Sequence, residues 1–583
     1  MAHRIGKTSS RRRGAYMATA GALALLMIGS VAARADVTDE LLDQLKAKGV
    51  LTKAEYAKLK ARHEAELAAK PVAHGAPGTD RYVTALDKGI GVRIPGKTLV
   101  TKEGVTSVGD VDVKLTGALV FFGAEEFKSN FTGSSGYLGQ YGNPNPFLGN
   151  PYASYSFPNS STFGPFAGNY GVLGGFYNGG YNNSNAIRSG LLPSNLVLSI
   201  ATNQLGWDIG FTAGAYFGGN NVDPGAANAN GAGSPIGLGT PGIDLRQVFG
   251  TIGTPEYGTV KIGRDLGLFG GEAILNDFTL FGVGTPAGNA APGNTSLGRI
   301  GLGYVYADWI PQIAYSTPTW NGFTATVAMM TPLDAIDTTT NGASGYFGSS
   351  AAGTIGGFGV TGLPAIGPFY APYAGATSGT LTGHDQPQFQ GKLKYVGQFA
   401  PDTKVTAWVD GITQLQRANY GDFVVGSYNF LAGGYNLATP GFNVRSSGVD
   451  GGVRLDWGGF SAVGYGYWGS ALGTTGLFYA AVSPNGQARI SDGWYAEAEY
   501  TFWDRWTLGG SYGQSFLQAN SFDWTQAYSP YLLKSNSSAI GFTRYKLTDW
   551  VAFQAEFINT KSINQSGGAA TTNAFVAGTT FFF

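Results

Sequence analysis

The chain of 583 residues has no cysteine and only four histidines, and charged residues make up 13% of it. Without Cys there is neither a disulfide framework nor a thiolate site for metal or catalysis. The histidines are His3, His63, His74 and His384, and they never cluster. Nucleophilic catalysis needs a base beside its nucleophile, and no Gly-x-Ser-x-Gly elbow is present to set one up, so the sequence is not that of an enzyme. No cofactor or metal is implied. Basic residues form no stripe, which removes nucleic acid as a partner. A soluble chain of this length divides into several cores and carries about a quarter charged residues, roughly twice what is found here.

Long apolar runs are also missing, except at the start. Arg4, Lys7 and Arg11 to Arg13 precede an apolar core from Ala15 to Val31, and Ala33-Arg34-Ala35 is a small-x-small cleavage pattern before Asp36. Residues 1–35 therefore read as a secretory signal peptide. Its removal takes six basic and no acidic residues, leaving 31 against 37 and a charge of −6. No later stretch approaches the eighteen apolar residues of a membrane helix. An exported chain without such a helix can still enter a membrane as a closed barrel.

What is abundant is Gly, with 92 residues, and aromatics, with 31 Tyr, 36 Phe and 11 Trp. Residues 36–70 read as a helical segment: Leu41, Leu42 and Leu45 share a face, Gly49 ends it, and Thr52-Lys53-Ala54-Glu55 caps a second piece. It fits a solvated periplasmic hairpin or a short coiled coil between subunits. Residues 71–110, with Pro71, Pro77 and Pro95, read as a linker. From 111 to 583 the pattern changes to β-like segments of about ten residues joined alternately by tight turns and long loops, the layout of a transmembrane barrel.

The alternation is explicit in the first segment, where Val111, Val113, Leu115, Leu119 and Phe121 take one parity and Asp112, Lys114 and Thr116 the other. Seven turn-joined pairs follow, at Leu205, Thr254 to Glu256, Thr319 to Asn321, Pro401-Asp402, Gly458, Asp504 and Asp549. With the first and last segments the total is sixteen antiparallel strands, an even number that leaves both ends and every short turn on the periplasmic side. Trp207, Trp320, Trp457, Trp503, Trp506 and Trp550 sit beside the short turns and predict an interfacial girdle. Parity turns Lys114, Lys261, Lys392, Lys394 and Arg454 toward the lumen, together with Glu497, Glu499 and Glu556.

The segment from Leu245-Arg246-Gln247-Val248-Phe249-Gly250 through Tyr257-Gly258-Thr259-Val260-Lys261-Ile262-Gly263-Arg264-Asp265 resembles the general diffusion porins of Gram-negative outer membranes. The next loop carries Leu268-Phe269-Gly270-Gly271-Glu272, similar to the Phe-Gly-Gly of the porin loop that folds inward. The resemblance implies a homotrimeric, water-filled, sixteen-stranded channel for ions and small hydrophilic solutes in the outer membrane, in contact with its lipid. It also implies that loop 265–299 narrows the lumen, with Arg264 on the basic side of the constriction and Glu272 and Asp277 on the acidic side. Leu268 stands where those porins commonly have an acid, and strict parity points Arg264 outward unless Gly263 makes a bulge. Phe581 and the terminal Phe583, on an alternating last strand, resemble the tag read by the barrel-assembly machinery. A sugar- or anion-selective channel, and a receptor or adhesin using the long loops, are the alternative readings.

Overall fold

The computed structural model describes residues 90–94, 97–101, 104–108, 110–132, 183–217, 243–284, 296, 298–333, 385–418, 424–425, 437–438, 442–478, 481–483, 486–525, 533–565, 567 and 569–583. The stretch expected to be a signal peptide, the one at 36–70 expected to be helical, and most of the long loops lie outside them. Among the described residues, sixteen antiparallel strands close into one barrel. They are β1 (Val111–Thr132), β2 (Ser194–Gln204), β3 (Trp207–Phe217), β4 (Ile243–Thr254), β5 (Gly258–Leu266), β6 (Trp309–Ser316), β7 (Phe323–Met330) and β8 (Gln388–Ala400). The other half comprises β9 (Thr403–Ala418), β10 (Phe442–Trp457), β11 (Phe460–Ser470), β12 (Ile490–Phe502), β13 (Trp506–Gln518), β14 (Leu533–Lys546), β15 (Val551–Asn564) and β16 (Ala569–Phe582).

Each strand pairs with its neighbour in sequence, and β16 pairs with β1. Closure leaves no open edge, so the strands pair their amides with neighbouring strands on both sides, as hydrocarbon requires. The outer face bears an apolar belt: Ile209, Phe211, Val248, Ile252, Ile262, Ile313, Val327, Leu393, Val409, Val453, Phe553 and Phe575 are all exposed. Inward positions on the same strands carry charged and polar side chains such as Lys261, Gln312, Thr326, Lys392, Asp410 and Glu556, with buried apolar residues such as Phe249, Ala314 and Trp408 among them. A polar inside under an apolar outside is the reverse of a soluble barrel and places the strands across a membrane.

The short turns are written in backbone-permissive residues. Leu205-Gly206 and Asn321-Gly322 have φ of 55° and 86°, and of 48° and 86°, the left-handed pairs of type I′ hairpins. Trp207, Trp320, Trp457, Trp503, Trp506 and Trp550 are all exposed at this end, at 45–84%. Their amphipathic rings suit the headgroup level.

Two features differ from the sequence reading. The stretch taken as a linker contains strands at Ile90–Ile94, Lys97–Thr101 and Gly104–Val108. The first pairs with β1 from Val111 to Leu115, filling the slot left where the C-terminus stops opposite Gly117. Five residues among Pro and Gly are too few for an alternation to stand out. The alternation of Gly303 to Ser316 predicts a strand over that whole stretch, but the strand begins at Trp309, because 303–308 belongs to the inward loop.

At the seam Gly117 and Phe583 exchange two backbone hydrogen bonds, of 3.0 and 3.1 Å. The Phe583 ring covers Gly117 so closely that a Cβ there would lie 2.2 Å from it. Gly117→Leu is therefore expected to displace the terminal ring and cost about 1–3 kcal/mol through overpacking. Gel mobility of unheated protein across a temperature series checks this, with the variant losing its compact form at lower temperature than the parent.

Candidate functional site: an inward loop clamped to the barrel wall

After β5 the chain turns into the lumen. Phe269 is fully buried over Gly448 and Leu472. Gly270 has φ 73°, and a Cβ there would lie 2.6 Å from the Val305 carbonyl, so this position needs glycine twice over. One turn of helix, α1 (Gly271–Asn276), follows. The chain then crosses toward β15 and β1 and returns by 298–308 to β6.

A loop whose residues are buried against the barrel wall must find partners for its amides. Here the barrel wall supplies them. Gln390 on β8 accepts from the Leu268 and Phe269 amides at 2.7 and 2.8 Å, and Asp450 on β10 accepts from Gly270 at 2.7 Å. Glu497 on β12 accepts from Phe278 at 2.6 Å. Glu556 on β15 accepts from Val283 and Gly284 at 3.0 and 2.8 Å. Three of these four acceptors are acidic side chains, each placed on a different strand. The returning segment is held by Arg299, paired with Glu497 at 3.1 Å, and by the Gly303 amide on Ser515 at 3.0 Å.

Glu272 opens α1 and sits between Lys392 and Lys394 of β8, at 2.8 and 3.2 Å, with all three side chains buried. Burial alone would push its carboxyl up, but the two lysines outweigh that and hold it below its ordinary value of 4.5. Asp277 accepts from the Tyr304 hydroxyl at 3.0 Å and caps Thr279. Burial, reinforced by the Asp277 carboxylate, pushes the Tyr304 hydroxyl well above its ordinary range. Beneath the loop runs an aromatic row, with Trp408 to Tyr465 at 6.5 Å and Tyr465 to Tyr495 at 5.3 Å between ring centroids. The Tyr495 hydroxyl donates to the Ala273 carbonyl at 2.7 Å. A second segment, described at 471–478 and 481–483, packs on the first, joined by the Tyr306 amide on the Thr475 carbonyl at 2.8 Å.

The residues expected from the sequence are distributed as follows. Glu272, Lys392 and Lys394 come together in one buried triad. Lys261 pairs instead with Asp265 at 2.6 Å, and Asp265 also accepts from Gln247. Arg454 forms a bidentate pair with Asp456 and lies 5.0 Å over the Phe278 ring. Lys114 points inward and is half-buried, nearer the short-turn end. Asp277 faces Tyr304 within the loop itself. Arg264 shares register rows with Val248 and Pro311, both exposed on the outer face, and no register shift occurs at Gly263. Its parity is outward and it is not part of the lumen group.

The sequence reading passed over Gln390, Asp410, Asp450, Tyr465 and Tyr495. Asp410 and Asp450 lie opposite each other in register, on the row that includes Lys392. Their inward parity was legible. What was not legible is that the loop lies over them, because that depends on residues 180 positions away.

No family model matches the chain, and no curated relative matches it. Among solved structures it is similar to the outer membrane channel DcaP of Acinetobacter baumannii, at 12% identity and a TM-score of 0.48, covering 84% of this chain and 100% of that one. OmpT of Vibrio cholerae aligns at 12% identity and a TM-score of 0.40, covering 81% and 98%. OprB of Pseudomonas putida aligns at 11% identity and 0.39, covering 80% and 94%.

Glu272→Gln is expected to leave two buried lysines without their shared carboxylate and to loosen the loop by about 3–5 kcal/mol, as when one partner of a buried pair is removed. Amide exchange at Leu268 to Phe278 measures it. A carboxyl held low in the folded state stabilises fully above its unfolded value and loses that contribution as pH falls through the folded one. The gap between parent and variant therefore stays constant above about pH 4.5 and closes only below it.

Proposed function

We propose that this protein is an outer-membrane porin, a water-filled channel for passive diffusion of ions and small hydrophilic solutes, and that it catalyses no reaction. The observation that carries this is a closed sixteen-stranded barrel with a polar inner face and a loop clamped inside it. Barrels of this strand number are too wide for side chains alone to fill and enclose water. Toward the short turns the inward residues Asp112, Lys114, Ser199, Thr212, Thr251 and Thr507 are partly exposed, so solvent reaches them. Toward the long loops the inward segments narrow the passage.

The electrostatics differ from the arrangement the porin resemblance implies. Glu272 is not set across a gap from the basic wall. It touches that wall, and its charge serves to fix the loop. Groups that can bias ion sign are those still open to lumen water, such as Lys114 on one side and Asp112 beside it. The aromatic row of Trp408, Tyr465 and Tyr495 is at most 5% exposed and lies beneath the loop, so it supports the loop and does not offer a sugar track. This favours general diffusion over a sugar-selective channel. Three copies are expected to assemble, as the resemblance to porins implies, and the resemblance of the last strand supports recognition by the assembly machinery.

Planar-bilayer recording tests the reading. Purified protein is expected to give discrete, ohmic conductance steps that no single sugar blocks. Lys114→Glu is expected to move the zero-current potential in a salt gradient toward cation preference. Protein that inserts and passes no current would sink the proposal, and a sugar-dependent block would move it to a selective channel.

A further inference from the structure

The outer surface carries a feature that the channel does not use. Across β5 to β10, the apolar belt dips into a depression of about 680 Å³. Its walls include Val260, Tyr315, Val327, Met329 and Phe389. Its floor is the cross-strand pair Gly391 and Gly411. Neither glycine is demanded by the fold: a Cβ at either would meet only a backbone oxygen at 3.9 Å, and neither has a positive φ. What their lack of side chains does is leave the groove open.

Above this groove, at the long-loop ends of β9 and β10, Arg417 and Arg445 take the outward parity of Val409 and Val449. Leu415 faces Arg445 and Arg417 faces Asn443, so the two arginines are diagonal neighbours, about 7–8 Å apart at their Cα atoms. Arg445 is exposed, donates at 3.3 Å to Thr413 and to Gln386, and pairs with no carboxylate among the described residues. Arg417 holds Asp385 at 2.5 Å with both side chains about half exposed. Arginine on a lipid-facing parity is costly at mid-membrane and is tolerated near the interface. Arg445 stands four residues along β10 from Val449, the partner of Gly411, or about 13 Å. That separation sets a headgroup contact at one end and an acyl groove at the other.

We infer that this wall binds a lipid with an anionic phosphate headgroup from the leaflet that meets the long loops. The phosphate is held by Arg445 and Arg417, and one acyl chain lies over Gly391 and Gly411. Guanidinium groups match phosphate geometry, and the apolar groove continues the lipid-facing belt. The inference rests on the membrane-channel reading and adds a ligand to its outer face.

Native mass spectrometry of the detergent-solubilised protein with equal amounts of phosphatidylglycerol and phosphatidylcholine tests it. The expected result is retention of phosphatidylglycerol at least tenfold over phosphatidylcholine. The pair Arg417→Ala and Arg445→Ala is expected to abolish that preference, and Gly411→Leu to reduce both adducts with the arginines intact. Gly391→Leu serves in place of Gly411→Leu if the latter does not fold. Equal retention of both lipids by the parent, or no change in the variants, overturns the inference. So does a Gly411→Leu protein whose oligomeric mass falls while its lipid adducts stay, since a second copy would then cover the groove. Conductance is read on the same samples: unchanged currents with no lipid preference defeat only the lipid site, and absent currents with a retained preference defeat only the channel.

Discussion

The constraint on which the interior depends is that backbone amides taken out of water must be hydrogen-bonded. The loop between β5 and β6 turns into the lumen, and its described residues, 267–284, 296 and 298–308, are mostly buried. The barrel meets this with acceptors on its inner wall, Gln390, Asp450, Glu497 and Glu556, spaced over strands far apart in sequence. Each takes one or two loop amides. The loop is thereby tied at several points along the wall, and the passage is shaped by where those points lie.

Charge placement follows from the same need. A carboxylate buried among apolar loop residues is costly unless it is paired or receives several donors. Glu272 answers this with two lysines, Glu497 with Arg299 and an amide, and Glu556 with two amides and Gln554. Charges that a linear reading would assign to ion selection are thus engaged in positioning the loop. Asp112 and Lys114, inward charges that stay partly exposed, are nearer the short turns.

The outer face is governed by the opposite requirement, since hydrocarbon gives polar groups nothing to bond. The belt is apolar, the tryptophans gather at the turn level, and the arginines of β9 and β10 stand at the loop end. Closure at the seam also belongs here. Gly117 leaves room for the Phe583 ring, and the strand at Ile90–Ile94 continues the sheet past the C-terminus.

Strand number, closure parity, turn positions and the exposed tryptophans beside the turns were legible in the sequence, because each is a local pattern: a period of two, a left-handed turn pair, an aromatic beside a turn. The Phe269-Gly270-Gly271 motif marked the inward loop through its resemblance to the porin loop, and the structure shows why glycine stands at Gly270, whose φ is 73°. Parity gave the lumen side of Lys392, Lys394, Glu497 and Glu556, and it gave Arg264 its outward side despite the family resemblance. It could not give partners. That Glu272 lies between Lys392 and Lys394, that Asp450 holds Gly270, and that a groove opens beneath Arg445 were decided by the closed barrel. Closure is what brings residues more than a hundred positions apart to within hydrogen-bond distance.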